Sequence, residues 1–519
     1  MGSLKKSNLF ILFVLFITIF LYSGMVPVEI MEARNFIAAR EMAAGGSWLL
    51  PTMNGELRIA KPPLPTWITA VFIHWAQTDT NLIANRIPAG ISALLLVLFT
   101  YLIVNRITGD RKVALTSMIV LATSPLFMFS ARKNAWDIYS VTAMTAAIWA
   151  LAESFMRKKN RTVFRILFSL FMACAFYSKG PVPFGVMLLP FLTSYALAFG
   201  MKDLWDNRWG LLWSFMLCAA ISAVWPAYVY LNSPHDALAT VTKVSAAWFM
   251  DHTEPPWYYL LHFHVVSGIW IFFLFYGLSA TFNKKDWISR DRLFVFWFIL
   301  AIAFISIFPG KKLRYMLPAV VPGAIISAIS IKHLLVESRF VRKIVYGAFC
   351  IVTGLAFLAA AGALAFLSMG RFLPLVGVPL LICSGLVLIY LYVKNETDFT
   401  PAVAVVGVCL SLTFLPSVLG DYLDHGEAEA FLHLRSTPAY AGHSFYSLGA
   451  IRPQIIWASG RIISPLNEQQ LSVLIGSGHS FVLISEKKIT QQPQKSSLYE
   501  IIRTERKTYY LYHMNHGTS

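Results

Sequence analysis

Charge is what this chain has least of. Only 13% of its 519 residues are Asp, Glu, Lys or Arg, about half the share of a soluble globular protein, while 57% are hydrophobic and the mean hydropathy is +0.61. Such a composition excludes an ordinary water-soluble domain. Cysteine is scarce as well: Cys174, Cys218, Cys350, Cys383 and Cys409 all lie in apolar stretches with no CxxC spacing, which argues against disulfides and against a thiolate metal site. Internal repeats and low-complexity segments are missing. Acidic residues are the rarer charge, 26 against 43 basic, giving a net charge of +17. In a soluble protein that excess would suggest nucleic acid. Here the basic residues gather in short loops between apolar stretches, at 105–113, 156–165, 201–208, 283–292 and 332–343. Placing all five loops in the cytoplasm satisfies the positive-inside rule with one consistent alternation, so the implied partner is membrane lipid and not nucleic acid.

Apolar windows of the length needed to cross a bilayer recur along the chain. They fall at 8–25, 85–105, 113–131, 138–156, 164–178, 183–200, 210–231, 257–279, 293–309, 315–332, 344–367, 374–393 and 400–419. The first follows Lys5 and Lys6 but precedes no A-x-A-like site, and reads as a retained anchor. About thirteen spans from a cytoplasmic N-terminus leave the tail outside. The apolar stretch 63–76 would invert every later loop if counted, so it reads as a juxtamembrane or re-entrant helix. From residue 421 the chain turns polar, with strand-like "HSFYSLGA", "HSFVLIS" and "TYYLYHM" alternating with helix-like "NEQQLSVLIGSG". The expected fold is an all-α polytopic membrane module, 1–420 with an outer loop at 26–84, followed by a small α/β domain at 421–519.

Several outer segments carry charges that the topology does not require. In "MEARNFIAAREM" a helix from Glu32 puts Glu32, Asn35, Phe36, Ala39 and Ala43 on one face and Arg34 and Glu41 on the other. An interfacial helix with its charges toward headgroups is the plain alternative. "WLLPTMNGELRIAKPPLPTW" has a turn signal at Asn54-Gly55, then Lys61 held on irregular backbone by two following prolines. In "SARKNAWDIYS", Asp137 stands at the outer entry of a span, where a first-turn helix charge would also sit. Outer cations are Lys61, Arg132, Lys133, Lys179 in "YSKGPVPFG", and Lys311, Lys312 and Arg314 in "FPGKKLRYMLP". Several cations with two carboxylates at one membrane face describe a site for an anionic, lipid-embedded substrate, and a lipid phosphate fits best. His235, His252, His262 and His264 cluster near "EPPWYYLLHFH", but His262 and His264 are i, i+2 and share no helix face, so interfacial roles are favoured over a metal pair.

"EARNFIAAREM", "GSWLLPTMNGELRIAKPPLPTW", "RIPAGISALLL", "ATSPLFMFSARKNAWD", "YSKGPV", "EPPWYYLLHF" and "KKLRYMLPAVVP" follow one another in that order. Together they resemble the GT-C membrane glycosyltransferases related to lipid A 4-amino-4-deoxy-L-arabinose transferase and, more distantly, the dolichyl-phosphate-mannose-protein mannosyltransferases. The likeness is good over roughly 8–330 and otherwise holds only in outline. It implies an inner-membrane enzyme, its site and C-terminal domain periplasmic, that takes a sugar from undecaprenyl phosphate and delivers it to lipid A, another glycolipid or a protein.

In that family an acidic pair opens the first outer helix; here the first position is Met31, leaving Glu32 as the expected catalytic carboxylate with Asp137 as second acid. Lys61, Lys179, Lys311 and Arg314 are the expected phosphate ligands, and Arg34, Asn54, Tyr258 and Tyr315 the expected substrate contacts. The residue before the lysine, often a metal-holding Glu in the aminoarabinose enzymes, is Ala60, so no cofactor is assigned and a divalent metal is left open. The short inner loops have none of the polar, Gly-rich character of a nucleotide-sugar site, in keeping with a lipid-linked donor. A transporter or lipid flippase is the competing class, but would carry its charges near the midplane and commonly show repeated halves.

Overall fold

Apolar length decides most of this structure. The computed structural model describes residues 2–157, 159–250, 253–283, 289–368, 372–415, 426–440, 442–477, 479–488, 496–504 and 507–514. His252, part of the 283–292 loop and the expected domain boundary at 420/421 lie outside them. Every one of the apolar stretches read from the sequence contains helix. Among the described residues eight helices are long and apolar enough to cross a membrane, from Leu82–Thr108 to Leu375–Lys394. Leu9–Ile19, Phe184–Phe199 and Thr400–Phe414 are shorter apolar helices.

The stretch 113–131, expected as one span, is broken. Arg111–Ala122 and Pro125–Ala131 meet at a 69° bend, which makes a ninth span only if the bent pair is one. Pro125 has no N–H to give the preceding turn, and Ser124 adopts extended backbone before it. The Leu64–Ala76 helix starts directly after Pro62-Pro63, as those prolines require, and Lys61 stays on irregular backbone.

By packing, the chain falls into two units. The first comprises residues 1–23, 59–65 and 86–418. At its centre Trp136–Met156 is buried along nearly its whole length, its Ala, Ser and Thr residues allowing close approach of neighbouring helices. Arg208–Asn232, by contrast, leaves Leu212, Trp213, Met216 and Val224 exposed, as suits a lipid-facing helix.

The second unit comprises residues 24–58, 66–85 and 419–519. Its strands are β1 (Thr52–Met53), β2 (Glu56–Leu57), β3 (Ser444–Leu448), β4 (Ile463–Leu466), β5 (Phe481–Ser485), β6 (Ser496–Arg503) and β7 (Thr508–Met514). β1 and β2 form a hairpin, and the rest a sheet in the order β4-β3-β5-β7-β6. β3 is parallel to β4 and β5; β7 is antiparallel to β5 and β6. "FVLIS" is buried at all five positions, as a central strand covered on both faces must be. In "NEQQ", Asn467 and Gln470 form a capping box that starts the Glu468–Gly476 helix. The tail is the small α/β domain expected from its sequence.

That domain's core includes residues far upstream. Ala33, Phe36 and Ile37 pack with Phe431, Ile455, Trp457, Val482 and Leu511, and the rings of Phe36 and Trp457 lie 6.1 Å apart. The Ile30–Ala43 helix is therefore buried on more than the single face its periodicity suggests: Glu32 and Asn35 are fully buried beside Ala33, Ile37 and Ala38.

Candidate functional site

Four of the expected residues, Asp137, Lys179, Arg314 and Tyr315, meet in the first unit, and a fifth, Lys61, lies near them. Asp137 lies in the first turn of Trp136–Met156, where a carboxylate faces the positive end of the helix dipole. Lys179 is the last residue of Arg161–Lys179, and Gly180 at φ +67° closes that helix, its N–H on the Phe176 carbonyl, before Pro181 prevents continuation. "SKGP" thus fixes a cation at a helix C-terminus. Lys179 Nζ donates to Asp137 Oδ1, and Arg314 Nε stands 3.9 Å from Oδ2. Arg314 and Tyr315 sit in the 3-10 turn Leu313–Met316 that leads into Leu317–Leu334. The Tyr315 ring lies under both cations, 4.8 Å from Lys179 Nζ and 5.4 Å from the Arg314 guanidinium carbon. Lys61, from the 59–65 segment of the same unit, is near enough to act on Asp137 through its charge. Lys179 and Arg314 thus flank one carboxylate and Lys61 acts on it through its charge, leaving a positive balance with donors suited to phosphate oxygens.

Other expected cations do not join this group. Lys311 is buried, and its Nζ donates to the carbonyls of Glu254 at 3.0 Å and Phe308 at 2.7 Å. Burial lowers its pKa, against the raising effect of Glu254. It ties the 253–258 segment to the turn that carries Arg314, alongside the Glu254 N–H to Pro309 carbonyl bond. Arg132 donates to the Ile17 carbonyl at 2.7 Å, with its guanidinium pushed down to about 10 by burial, and Lys133 lies 3.3 Å from the Phe129 ring centroid. Tyr258 stacks on His262 at 4.3 Å and accepts at its carbonyl from that imidazole, the tautomer being assigned by the contact. Its neighbour Tyr259 accepts the Lys312 N–H at its hydroxyl.

Glu32, Arg34 and Asn54 belong to the second unit. Beside the buried Glu32, Asn35 donates to Thr69 Oγ1 at 3.1 Å and accepts from Thr66 Oγ1 at 2.8 Å, which docks Ile30–Ala43 on Leu64–Ala76 within that unit. Arg34 stands near Arg58, whose guanidinium is lowered to about 10 by burial first and by Arg34 second. Sequence reading passed over Arg58, although an arginine three residues before Lys61 on an outer loop was the available signal. Asn54, expected at the substrate, is bound in the fold instead. At φ +61° it forms the hairpin turn with Gly55; its Nδ2 donates to the Ile463 carbonyl at 2.7 Å and its Oδ1 accepts the Ile463 N–H at 2.7 Å. Glu41 holds the same turn, accepting from Thr52 Oγ1 and, at 2.6 Å, from the Asn54 N–H. Arg40 pairs with Asp79 at 3.4 Å, and Asp79 also holds Arg435 at 2.7 Å. Among the described residues no three His, Cys, Asp or Glu side chains are grouped to hold a metal, and Ala60 beside Lys61 offers no ligand. The described residues present do not fit a metal there.

Comparison with known proteins bears on the fold that carries these residues. The family model for dolichyl-phosphate-mannose-protein mannosyltransferase matches residues 60–228, the stretch carrying Lys61, Asp137 and Lys179. The undecaprenyl phosphate-alpha-4-amino-4-deoxy-L-arabinose arabinosyl transferase of Shewanella sediminis is 28% identical over 307 residues, 57% of this chain and 54% of the relative. The chain spans just over half the length of the curated relatives it matches. Among solved structures, ArnT from Cupriavidus metallidurans bound to undecaprenyl phosphate superposes with a TM-score of 0.77 over 98% of both chains at 16% identity. The oligosaccharyltransferase AglB of Archaeoglobus fulgidus, in complex with an inhibitory peptide and a dolichol-phosphate, does so with 0.51 over 94% of this chain and 69% of its own at 10% identity. The fold is theirs, that of a multi-pass membrane protein with a small C-terminal α/β domain. Over residues 60–228 the chain thus resembles the protein mannosyltransferases, over 57% of its length it resembles the aminoarabinose transferases, and its fold is that of ArnT.

Proposed function

We propose that this chain is an inverting glycosyltransferase that moves a sugar from a polyprenyl-phosphate carrier to an envelope acceptor, lipid A or another glycolipid. The observation that carries this reading is the Asp137 carboxylate paired with Lys179, with Arg314 3.9 Å away and Lys61 near enough to act on it through its charge. Such a group suits a lipid phosphate in transfer. An acceptor oxygen attacks the anomeric carbon, the bond from that carbon to the phosphate oxygen breaks, and the electron pair leaves with the polyprenyl phosphate. Lys179, Arg314 and Lys61 neutralise the charge gathering on that leaving group. The acceptor proton goes to a carboxylate, and Glu32 is the proposed base. Asp137 keeps Lys179 and Arg314 aimed. A single displacement inverts the anomeric centre, and a phosphate leaves without the acid that glycosidases need. Tyr315 supplies a ring face beneath the cations, Arg34 and Tyr258 are retained as substrate contacts, and Lys311 acts through the backbone that positions Arg314.

The relatives' names support undecaprenyl phosphate as the carrier and an aminoarabinose-like pentose as a candidate sugar. The short basic loops support an inner-membrane protein with a cytoplasmic N-terminus and a periplasmic site and tail. A protein hydroxyl is the second acceptor reading, favoured by the matched protein mannosyltransferase model. Mass spectrometry of lipid A and of envelope glycoproteins, from cells with and without the gene and with a Glu32→Gln copy, tests both. Loss of a sugar-sized mass from lipid A in both defective strains is expected. Loss from glycoproteins alone would move the acceptor to protein, and no change anywhere would overturn the transferase reading.

A further inference from the structure

The Leu313–Leu334 helix, 22 residues and roughly 33 Å long by α-helical rise, carries Arg314, one partner of Asp137, at one end and a different charged group at the other. There Lys332 and His333, in its last turn, meet Asp110, which caps Arg111–Ala122, and Arg290 and Asp291, in the first turn of Ser289–Ile307. Between them lies a cavity of about 220 Å³ whose lining includes Thr108, Asp110, Arg290, Asp291, Lys332 and His333. Nothing in the proposed transfer uses it.

Its two acids are committed. Asp110 accepts the N–H groups of Lys112 and Val113 at 2.9 and 3.2 Å and lies 2.8 Å from Lys332 Nζ, while Asp291 Oδ2 lies 3.2 Å from His333 Nε2. These contacts aim the cations without exhausting their donors. Lys332 has three N–H groups on a side chain 58% exposed; Arg290 has five, and its Nη1 reaches the Thr108 carbonyl at 3.3 Å. Arg111 and Lys112 add exposed positive charge next to Asp110. The floor is apolar, formed by Val113 and Ile329. A cationic mouth over an apolar floor, at the ends of membrane-spanning helices, matches the phosphate and glycerol region of a lipid.

We infer that this cavity is a headgroup site for an anionic phospholipid, whose phosphate takes hydrogen bonds from Arg290 and Lys332. It is independent of the proposed transfer reaction. The test uses the full chain in nanodiscs of phosphatidylcholine with or without phosphatidylglycerol, reading retained lipid by native mass spectrometry and the unfolding temperature. Wild-type protein is expected to retain phosphatidylglycerol over phosphatidylcholine and to melt higher in its presence. Arg290→Gln and Lys332→Gln should each weaken that preference about fivefold. Arg339→Gln with Lys343→Gln, which removes two cations outside the cavity, should leave it unchanged. Lys332→Gln alters a mostly exposed side chain, so it keeps the test interpretable if Arg290→Gln fails to fold. Inorganic phosphate added to phosphatidylcholine discs separates the sources. If it raises the melting temperature of wild type but not of Lys332→Gln, and phosphatidylglycerol adds nothing, the phosphate site stands but its ligand is soluble and the lipid assignment falls. Equal lipid retention by wild type and both cavity variants would overturn the site.

Discussion

Lys179 and Asp137 form a direct ion pair between the end of one helix and the start of another, and the Tyr315 ring centroid lies 4.8 Å from the same ammonium. Both side chains are only 14% exposed, so removing one partner strands a charge in a poorly solvated place. Lys179→Met and Asp137→Leu are each expected to destabilise the protein by about 3 kcal/mol, with the double variant costing less than the sum. Thermal unfolding in detergent across the four proteins of the cycle measures this, and strict additivity would mean the pair contributes nothing to the fold.

Lys61 and Arg314 carry the donor-binding prediction. Each should contribute a charge-assisted hydrogen bond to phosphate, so Lys61→Ala and Arg314→Ala are expected to weaken binding of a short-chain polyprenyl phosphate by about tenfold or more. Lys311→Ala should act differently. With its ammonium given to the Glu254 and Phe308 carbonyls, its loss should chiefly lower the unfolding temperature. A titration of all three variants separates ligand from brace.

Glu32→Gln preserves shape at a fully buried position and removes the charge alone. If Glu32 is the base, transfer by the purified variant should fall by at least about 100-fold while donor binding and unfolding temperature stay near wild type. Near-normal transfer would move the proton acceptor to another carboxylate.

Much of this arrangement was legible in the sequence, and what was not has a common cause. Apolar length and proline position gave the helices and the irregular backbone at Lys61, since both act within a few residues. "NEQQ" and "FVLIS" likewise announce a capped helix and a buried strand. Long-range pairing left no such mark. Nothing in "KKLRY" tells that Arg314 turns to Asp137 while Lys311 turns to backbone carbonyls, because two neighbouring cations look alike until the turn that carries them is built. The run "IISPL" hides β4 because Pro465 interrupts it, and Asn54 reads as a polar turn residue until its partner, Ile463, arrives from the far end of the chain.

Asn54 accordingly tests the fold more than the chemistry. Asn54→Ala removes both hydrogen bonds to Ile463 and puts a side chain with no local polar compensation at φ +61°. Each lost bond contributes about 1 kcal/mol and the left-handed backbone adds about 1 kcal/mol more. A loss of about 3 kcal/mol is expected, seen as faster proteolysis around residues 50–60, with donor affinity unchanged. A selective loss of substrate affinity with normal stability would return Asn54 to the substrate contacts.

His443 and His513 bring their Nε2 atoms to 3.0 Å in the tail domain, so one ring donates and the other accepts. Burial, and then the neighbouring His443, lowers the pKa of His513 below its usual 6.5. The unfolded chain therefore takes up a proton at His513 before the folded one does. Well above pH 6.5 His513 is neutral in both states and adds no pH dependence; as pH falls through that value the unfolded state gains the proton first and stability declines. Hydrogen-exchange protection of the β3 and β7 amides, corrected for intrinsic rates, should drop between about pH 7 and about pH 5, and His513→Gln should flatten the slope. An unchanged slope in that variant would assign the acid sensitivity to other groups.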